Sequence, residues 1–195
     1  MSPKAKYIYV GRDGRNTAWS LHNHYNATDA YFEKFNSSVE HLPAFTRGTD
    51  DTHAFFQDWL ARDGYPMWPL WDHNPTWWTN RSMPNVKFIH YNDLKSDLPG
   101  AIRSIAEFLI LKLPEDRLDL IASHRTFSYM KANAARIATR GGASSENGGL
   151  TFINKGQNGR WRDTLSPAEI AAYDAKAIDE LGSDCALWLE HGSRL

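Results

Sequence analysis

Residues 7–20, YIYVGRDGRNTAWS, set two arginines, Arg12 and Arg15, in a glycine-bounded turn between an apolar run and a helix start. Those residue types in that order suit an anion. The first turn of a helix presents unpaired N–H groups and a partial positive charge. A guanidinium adds a planar fork that meets phosphate with two parallel hydrogen bonds. Ser20 lies one turn beyond Asn16 on the same predicted helix face, so its hydroxyl is available to the same ligand. Spacing alone leaves a second reading beside this one, in which both arginines are ordinary surface charges. The stretch lacks the G-x-x-x-x-G-K-S/T pattern, so no Walker-type loop is claimed.

A second basic stretch, FINKGQNGRWRD (residues 152–163), interleaves Lys155, Arg160 and Arg162 with Gly156 and Gly159. Glycines let backbone approach a ligand closely, and the cations suit phosphate. A solvated basic loop has the same composition. Nucleic acid is not the expected partner, because the formal net charge is -1 and no nucleic-acid module is recognisable. Any phosphate recognition therefore belongs to a local site rather than to the overall field. Metal chemistry is not expected either: His22 and His24 fall on different helix faces, and His73 and His90 have no ligand partner at metal spacing. The single cysteine, Cys185, sits in an apolar helical run and reads as packing, which also excludes an intrachain disulfide. Four of the eight tryptophans crowd MWPLWDHNPTWW (residues 67–78), as core or as a wall beside an apolar ligand.

The elements that must carry these residues alternate between strand and helix. Tyr7–Val10 predicts a strand covered on both faces, as in a parallel sheet. Asn16 or Thr17 then caps a helix running to about Phe35. FNSSVEHLPAFTRGTDDTH reads as a loop, THAFFQDWLARDG as a short helix stopped by Gly64, and Trp71–Arg81 as another helix. Val86–Tyr91 is the second strand. Helices follow over Pro99–Leu111, Asp116–Ala122 and Phe127–Arg136, then a flexible loop, TRGGASSENGGL. The last helix opens at SPAEIAAYDAKAIDEL, with Ser166 as its cap, Pro167 in its first turn and Glu169 completing a capping box. This pattern predicts an α/β fold with a parallel sheet, in a single domain over residues 1–195. Two strands fall short of the roughly four to six of an ordinary sheet, so further strands are expected from upstream sequence or another chain. No apolar stretch approaches the ~18 residues that span a membrane, and no signal-peptide core is present, so the expected location is the cytoplasm.

Five segments in order, AKYIYVGRDGRNTAWS, LWDHNPTWW, NVKFIHYNDLKSDLPGAIRSIAEFL, HRTFSYMKAN and FINKGQNGRWRD, resemble the cytosolic sulfotransferase family over nearly the whole chain. The resemblance implies a nucleotide-kinase-like (P-loop-type) parallel sheet flanked by helices. It also implies transfer of a sulfuryl group from 3'-phosphoadenosine 5'-phosphosulfate (PAPS) to a hydroxyl or amine of a small-molecule acceptor. Arg12 and Ser20 match the residues that hold the 3'-phosphate, and Tyr91 the residue that contacts the base region. The adenine-side segment falls on Arg125, Thr126, Phe127 and Met130, with Phe127 as the stacking ring. Phe152, Lys155 and Gly156 match the C-terminal phosphate loop, and Trp71 and His73 the acceptor pocket.

Three departures accompany the match. Asn154 stands where an arginine is usual. The dimer motif is not matched by Arg162, Ser166, Pro167 and Ala171, so the oligomeric state stays open. The phosphosulfate loop with its lysine, and the catalytic histidine, are expected upstream of Met1 with the first strands. The 195 residues alone are therefore expected to be inactive; the alternative is a catalytically dead nucleotide-binding or interaction protein on the same fold.

Overall fold

The computed structural model describes residues 1–26, 32–33, 36–37, 48–64, 69–138 and 148–192. In chain order, β1 (Tyr7–Gly11) leads to α1 (Gly14–Tyr25), α2 (Thr52–Ala61) and α3 (Leu70–Trp78), then to β2 (Val86–His90). After β2 come α4 (Tyr91–Ser96), α5 (Leu98–Leu109), α6 (Glu115–His124), α7 (Phe127–Ala132), α8 (Ala134–Ile137) and α9 (Gly149–Phe152). A 3-10 turn (Arg160–Asp163), α10 (Pro167–Leu181) and α11 (Ser183–His191) complete the order. These elements form two compact units. The first takes residues 1–14, 70–124 and 168–195, the second residues 15–69 and 125–167.

The first unit contains the sheet. β1 and β2 pair in parallel, with Tyr9 opposite Phe88 and Gly11 opposite His90. A strand turns alternate residues to opposite faces, and here Tyr9 and Gly11 turn inward while Ile8 and Val10 remain 38% and 53% exposed. Within these 195 residues one face of β1 is packed and the other is not, where the sequence predicts cover on both. Against the inner face lies α11, which buries Cys185, Trp188 and Leu189 at the i, i+3, i+4 spacing of one helix face. Gly11 is what admits Trp188, because a Cβ there would fall 2.2 Å from Cζ3 of the ring. Trp188 also meets the rings of Tyr9, Trp78 and Phe88 at centroid distances of 6.2, 5.5 and 5.3 Å. Burial raises the Cys185 thiol to about 11, so this cysteine packs as expected and is chemically quiet. Tyr9 donates its hydroxyl hydrogen bond to Oδ1 of Asn74, which in turn donates to the Leu70 carbonyl at 2.6 Å.

Helix α5 is entered through Asp97, whose carboxylate accepts from the Gly100 N–H at 2.9 Å, with proline in the first turn. It stops at Leu109 rather than Leu111 because Ile110 turns left-handed, at φ 59°.

In the second unit, α1 brings Trp19 against Phe56 of α2, with ring centroids 5.6 Å apart, and Phe56 stacks on Trp59. Asp51 caps α2 by accepting from the N–H groups of His53 and Ala54. At its other end Gly64, at φ 77°, donates its N–H to the Trp59 carbonyl at 2.8 Å, the glycine stop that the sequence predicts.

Other boundaries differ. Helix α1 begins at Gly14, two residues before the predicted cap, and its described end is Tyr25. The helix expected over 127–136 divides at Asn133. The final helix divides at Gly182, φ 76°, into α10 and α11. Most of the loops expected over 35–53 and 139–150 lies outside the described residues.

Candidate nucleotide site

In the first unit the chemistry collects at the carboxyl ends of the two strands. Arg12 follows the last residue of β1 and Tyr91 the last residue of β2, and those last residues, Gly11 and His90, are register partners. Their side chains meet, with the Arg12 guanidinium 4.4 Å from the centre of the Tyr91 ring. A cation over an aromatic face is held by the ring quadrupole. Open α/β sheets take their ligands outside the carboxyl ends of their strands, which is where this pair stands.

The helix entrance beside it is partly occupied. The Gly14 N–H donates to the Tyr173 hydroxyl at 3.1 Å. Trp71 is buried and packs on that same Tyr173, at 5.9 Å between ring centroids, with the Lys176 ammonium 5.5 Å from its ring. His73 lies instead beside Tyr9 and Trp77, at 5.9 and 6.4 Å. The two residues matched to an acceptor wall are thus held by different neighbours.

His90 went unnoticed in the sequence beyond its failure as a metal ligand. It is 1% exposed. Its Nε2 donates to the Leu189 carbonyl at 2.9 Å, and its Nδ1 accepts from the Asn92 N–H at 3.1 Å, capping α4. A carbonyl on one side and an N–H on the other permit a single neutral tautomer. Burial, the largest influence, depresses its pKa, with the Arg12 charge adding to the fall while the Leu189 bond, Asp93 and Asp13 oppose it. His24 in the second unit is depressed by burial as well. A histidine with a folded pKa below its ordinary 6.5 takes up protons more readily when unfolded. Stability therefore rises with pH across that window and falls as pH drops from 6.5 toward the folded values. Thermal unfolding between about pH 7.5 and about pH 5 is expected to show a declining Tm, with a shallower decline in His90→Asn. Equal slopes would contradict the assignment.

In the second unit the basic loop is tied to α1. Oδ1 of Asn16 accepts from the Gly159 N–H at 2.7 Å. Asn23 donates to the Thr151 carbonyl at 3.1 Å and accepts from Nδ2 of Asn154 at 2.7 Å. Asn154 thus uses its amide to fasten the loop. Lys131 donates to the Asn154 carbonyl at 3.1 Å and stands 5.6 Å from the Phe127 ring centre. Gly156, at φ 61°, passes so close to Phe127 that a Cβ would lie 2.5 Å from its ring. The structure therefore joins Phe127 and Gly156, two residues picked from separate motifs. Phe152 has its ring 5.2 Å from that of His24, and Lys155 is exposed. Thr126 caps α7 by accepting from the Tyr129 N–H at 3.3 Å, Arg125 is exposed, and Met130 and Ser20 are half-buried.

Arg15 departs from expectation. It is 1% exposed and lies 4.0 Å from the ring centre of Trp161, which Arg162 also approaches at 4.3 Å. A guanidinium enclosed this way packs the loop, so the reading of both arginines as ordinary surface charges does not hold for Arg15. Helical periodicity could have signalled this, since Arg15 shares the buried stretch with Ala18 and Trp19.

Gly156→Ala tests the Phe127 contact. Alanine is strained at φ 61° by about 1 kcal/mol or more, and its methyl must displace the ring. The expected outcome is a nucleotide affinity reduced by roughly tenfold with a smaller loss of stability, read by calorimetric titration and thermal unfolding.

A family model described as the sulfotransferase domain matches residues 1–183, running through both units. Sulfotransferase 2B1 of Mus musculus is 31% identical over 176 residues, 89% of this chain and 47% of its own length. Sulfotransferase 1A1 of Rattus norvegicus is 28% identical over 187 residues, 95% of this chain and 58% of its own. The chain thus spans about half the length of the curated relatives it matches. Among solved structures, a retinol dehydratase in complex with androsterone and inactive cofactor PAP aligns with a TM-score of 0.70 at 28% identity, over 90% of this chain and 47% of that one. A mouse sulfotransferase, SULT7A1, complexed with PAP, aligns at 0.72 and 24% identity over 95% and 61%, and bears on the fold alone. With an α/β parallel pair in place and a family match from residue 1 to residue 183, this chain belongs to the sulfotransferase family.

Proposed function

We propose that this chain supplies the 3'-phosphate and adenine side of a PAPS site, in a sulfotransferase that moves a sulfuryl group to a hydroxyl or amine of a small molecule. The observation that carries the reading is the Arg12–Tyr91 stack at the carboxyl ends of the parallel strands. A guanidinium at that position is a planar fork of the kind that suits a phosphate. Arg12 and Ser20 take the 3'-phosphate and Tyr91 the base region. Arg125, Thr126, Phe127 and Met130 take the adenine side, and Phe152, Lys155 and Gly156 the phosphate loop. The Phe127–Gly156 contact supports that assignment, because it puts an aromatic face beside a backbone free of side chain. His73, Tyr9 and Trp77 offer an aromatic surface suited to an apolar acceptor, with Trp71 behind Tyr173. One domain over residues 1–195 is supported by a family match that runs through both units. A single buried cysteine suits a reducing cytoplasm, and no helix among the described residues is long and apolar enough to cross a membrane.

Titration with 3'-phosphoadenosine 5'-phosphate (PAP) tests the reading: saturable one-to-one binding is expected, and its absence would overturn it. Turnover is a separate matter. Sulfuryl transfer needs a base for the acceptor proton and cations for charge on the bridging oxygen. His90 is bonded through both nitrogens and has no ring nitrogen left to act as that base. The 195 residues alone are expected to show negligible sulfation of phenols or alcohols with PAPS, and brisk metal-independent turnover would sink that expectation.

A further inference from the structure

The Arg12–Tyr91 stack depends on where the Tyr91 ring points, and that direction is set one residue earlier. Tyr91 is the first residue of α4, entered from an extended His90 at φ -101° and ψ 143°. Two conformations therefore meet at one peptide, and the Cα–Cβ direction of Tyr91 is only as well defined as that junction. The cap defines it. With Nδ1 of His90 accepting from the Asn92 N–H, the first turn closes around Tyr91 and its dihedrals are held.

The usual caps, Ser, Thr, Asp and Asn, are short and do this alone. The imidazole does it while reaching across to the Leu189 carbonyl, and that second bond keeps the proton on Nε2 and so leaves Nδ1 free to accept. The ring is further enclosed by Trp188, edge-on at 5.3 Å, and by Gly192. Gly192 has φ 73°, and a Cβ added to it would lie 2.4 Å from Nδ1. Nδ2 of Asn92 adds a bond to the His191 carbonyl at 3.2 Å. The end of α11 and the start of α4 thus both hold the ring.

We propose that His90 is a positioning residue: by capping α4 it orients the Tyr91 ring, and through that ring it pre-orders the Arg12 guanidinium for an anion. The part concerning the anion rests on the nucleotide reading above; the part concerning orientation does not. A long cationic side chain that is already ordered loses less freedom when a phosphate arrives. Losing that order is expected to weaken PAP binding about tenfold, without removing any group that touches the ligand.

The test reads orientation and binding separately. Orientation is read from the Arg12 Nε–H resonance, displaced by the Tyr91 ring current and identified by its disappearance in Arg12→Lys. His90→Asn keeps a capping oxygen but cannot reach Leu189, whereas His90→Leu supplies neither bond. The displaced resonance and the PAP affinity are expected to survive in His90→Asn, within about threefold in affinity, and to be lost in His90→Leu. Survival of both in His90→Leu overturns the proposal, as does equal loss in the two variants, which would make the histidine a packing residue only. Should His90→Leu fail to fold, Gly192→Ala decides, since its methyl presses the intact ring off the cap; an undisturbed Arg12 resonance there overturns the proposal. If the resonance follows these variants while wild-type protein ignores PAP, the nucleotide reading falls and the positioning role stands.

Discussion

Arg12→Ala is expected to weaken PAP binding by about a hundredfold or more. A charge-assisted hydrogen bond contributes roughly 1.5–3 kcal/mol, and a fork engaging a phosphate makes two. Even the low end for two such bonds is about 3 kcal/mol, and each 1.4 kcal/mol is tenfold. The fold is expected to survive the change, because Arg12 is only half-buried and the Tyr91 ring remains packed through the capped helix behind it. Calorimetric titration gives the affinity, and a Tm close to wild type shows that the loss is local. Arg12→Lys is expected to fall between the two, since an ammonium keeps the charge but lacks the planar fork and stacks less well. Salt should weaken wild-type binding more steeply than binding by Arg12→Ala, because one screened phosphate contact has gone. Undiminished affinity in Arg12→Ala would remove the central support for the nucleotide assignment.

The largest effect on stability is expected at Trp188. Truncating a buried tryptophan to alanine removes about 3–5 kcal/mol, which is a large share of the roughly 5–15 kcal/mol that keeps a domain folded. Here the ring is shared by Tyr9, Trp78, Phe88 and His90, and it lies directly over Gly11. Urea unfolding of Trp188→Ala should show a midpoint far below wild type, with loss of the first unit's near-ultraviolet signal. Gly11→Ala alone should also destabilise, because its Cβ would collide with the same ring. Combined, the two changes should do less harm than their sum, as the added methyl enters space the indole has left. Simple additivity in this cycle would mean that Gly11 is required for its backbone and not for the room it leaves.

Several features of the site were legible in the chain alone, for physical reasons. The apolar run at Tyr7–Val10 followed by Gly11–Gly14 marks a strand and a turn, and both are present, with α1 starting in the turn itself. The second strand at Val86 and the helix entered near Pro99 were legible because β-branched residues and a first-turn proline act locally. The motif order that resembles sulfotransferases was legible in the same sense, and the family match bears it out.

What escaped was decided over long separations. Arg12 and Arg15 have the same side chain, three residues apart. Nothing local says that one will lie on Tyr91 and the other be enclosed with Trp161, because those partners are 79 and 146 residues away in sequence. His90 looked like an idle strand residue, and its role depends on Leu189, 99 residues further on. Asn154 reads as a lost charge until Asn23, 131 residues away, is seen to bond it.

By itself, then, the sequence determined the elements, their order and the family, since propensity, capping and hydrophobic spacing act within a few residues. Only the tertiary structure decided that, of the two arginines in the YIYVGRDGRNTAWS turn, Arg12 lies on Tyr91 and Arg15 is enclosed with Trp161. Burial and ring stacking depend on residues that the fold, and not the local chain, brings into contact.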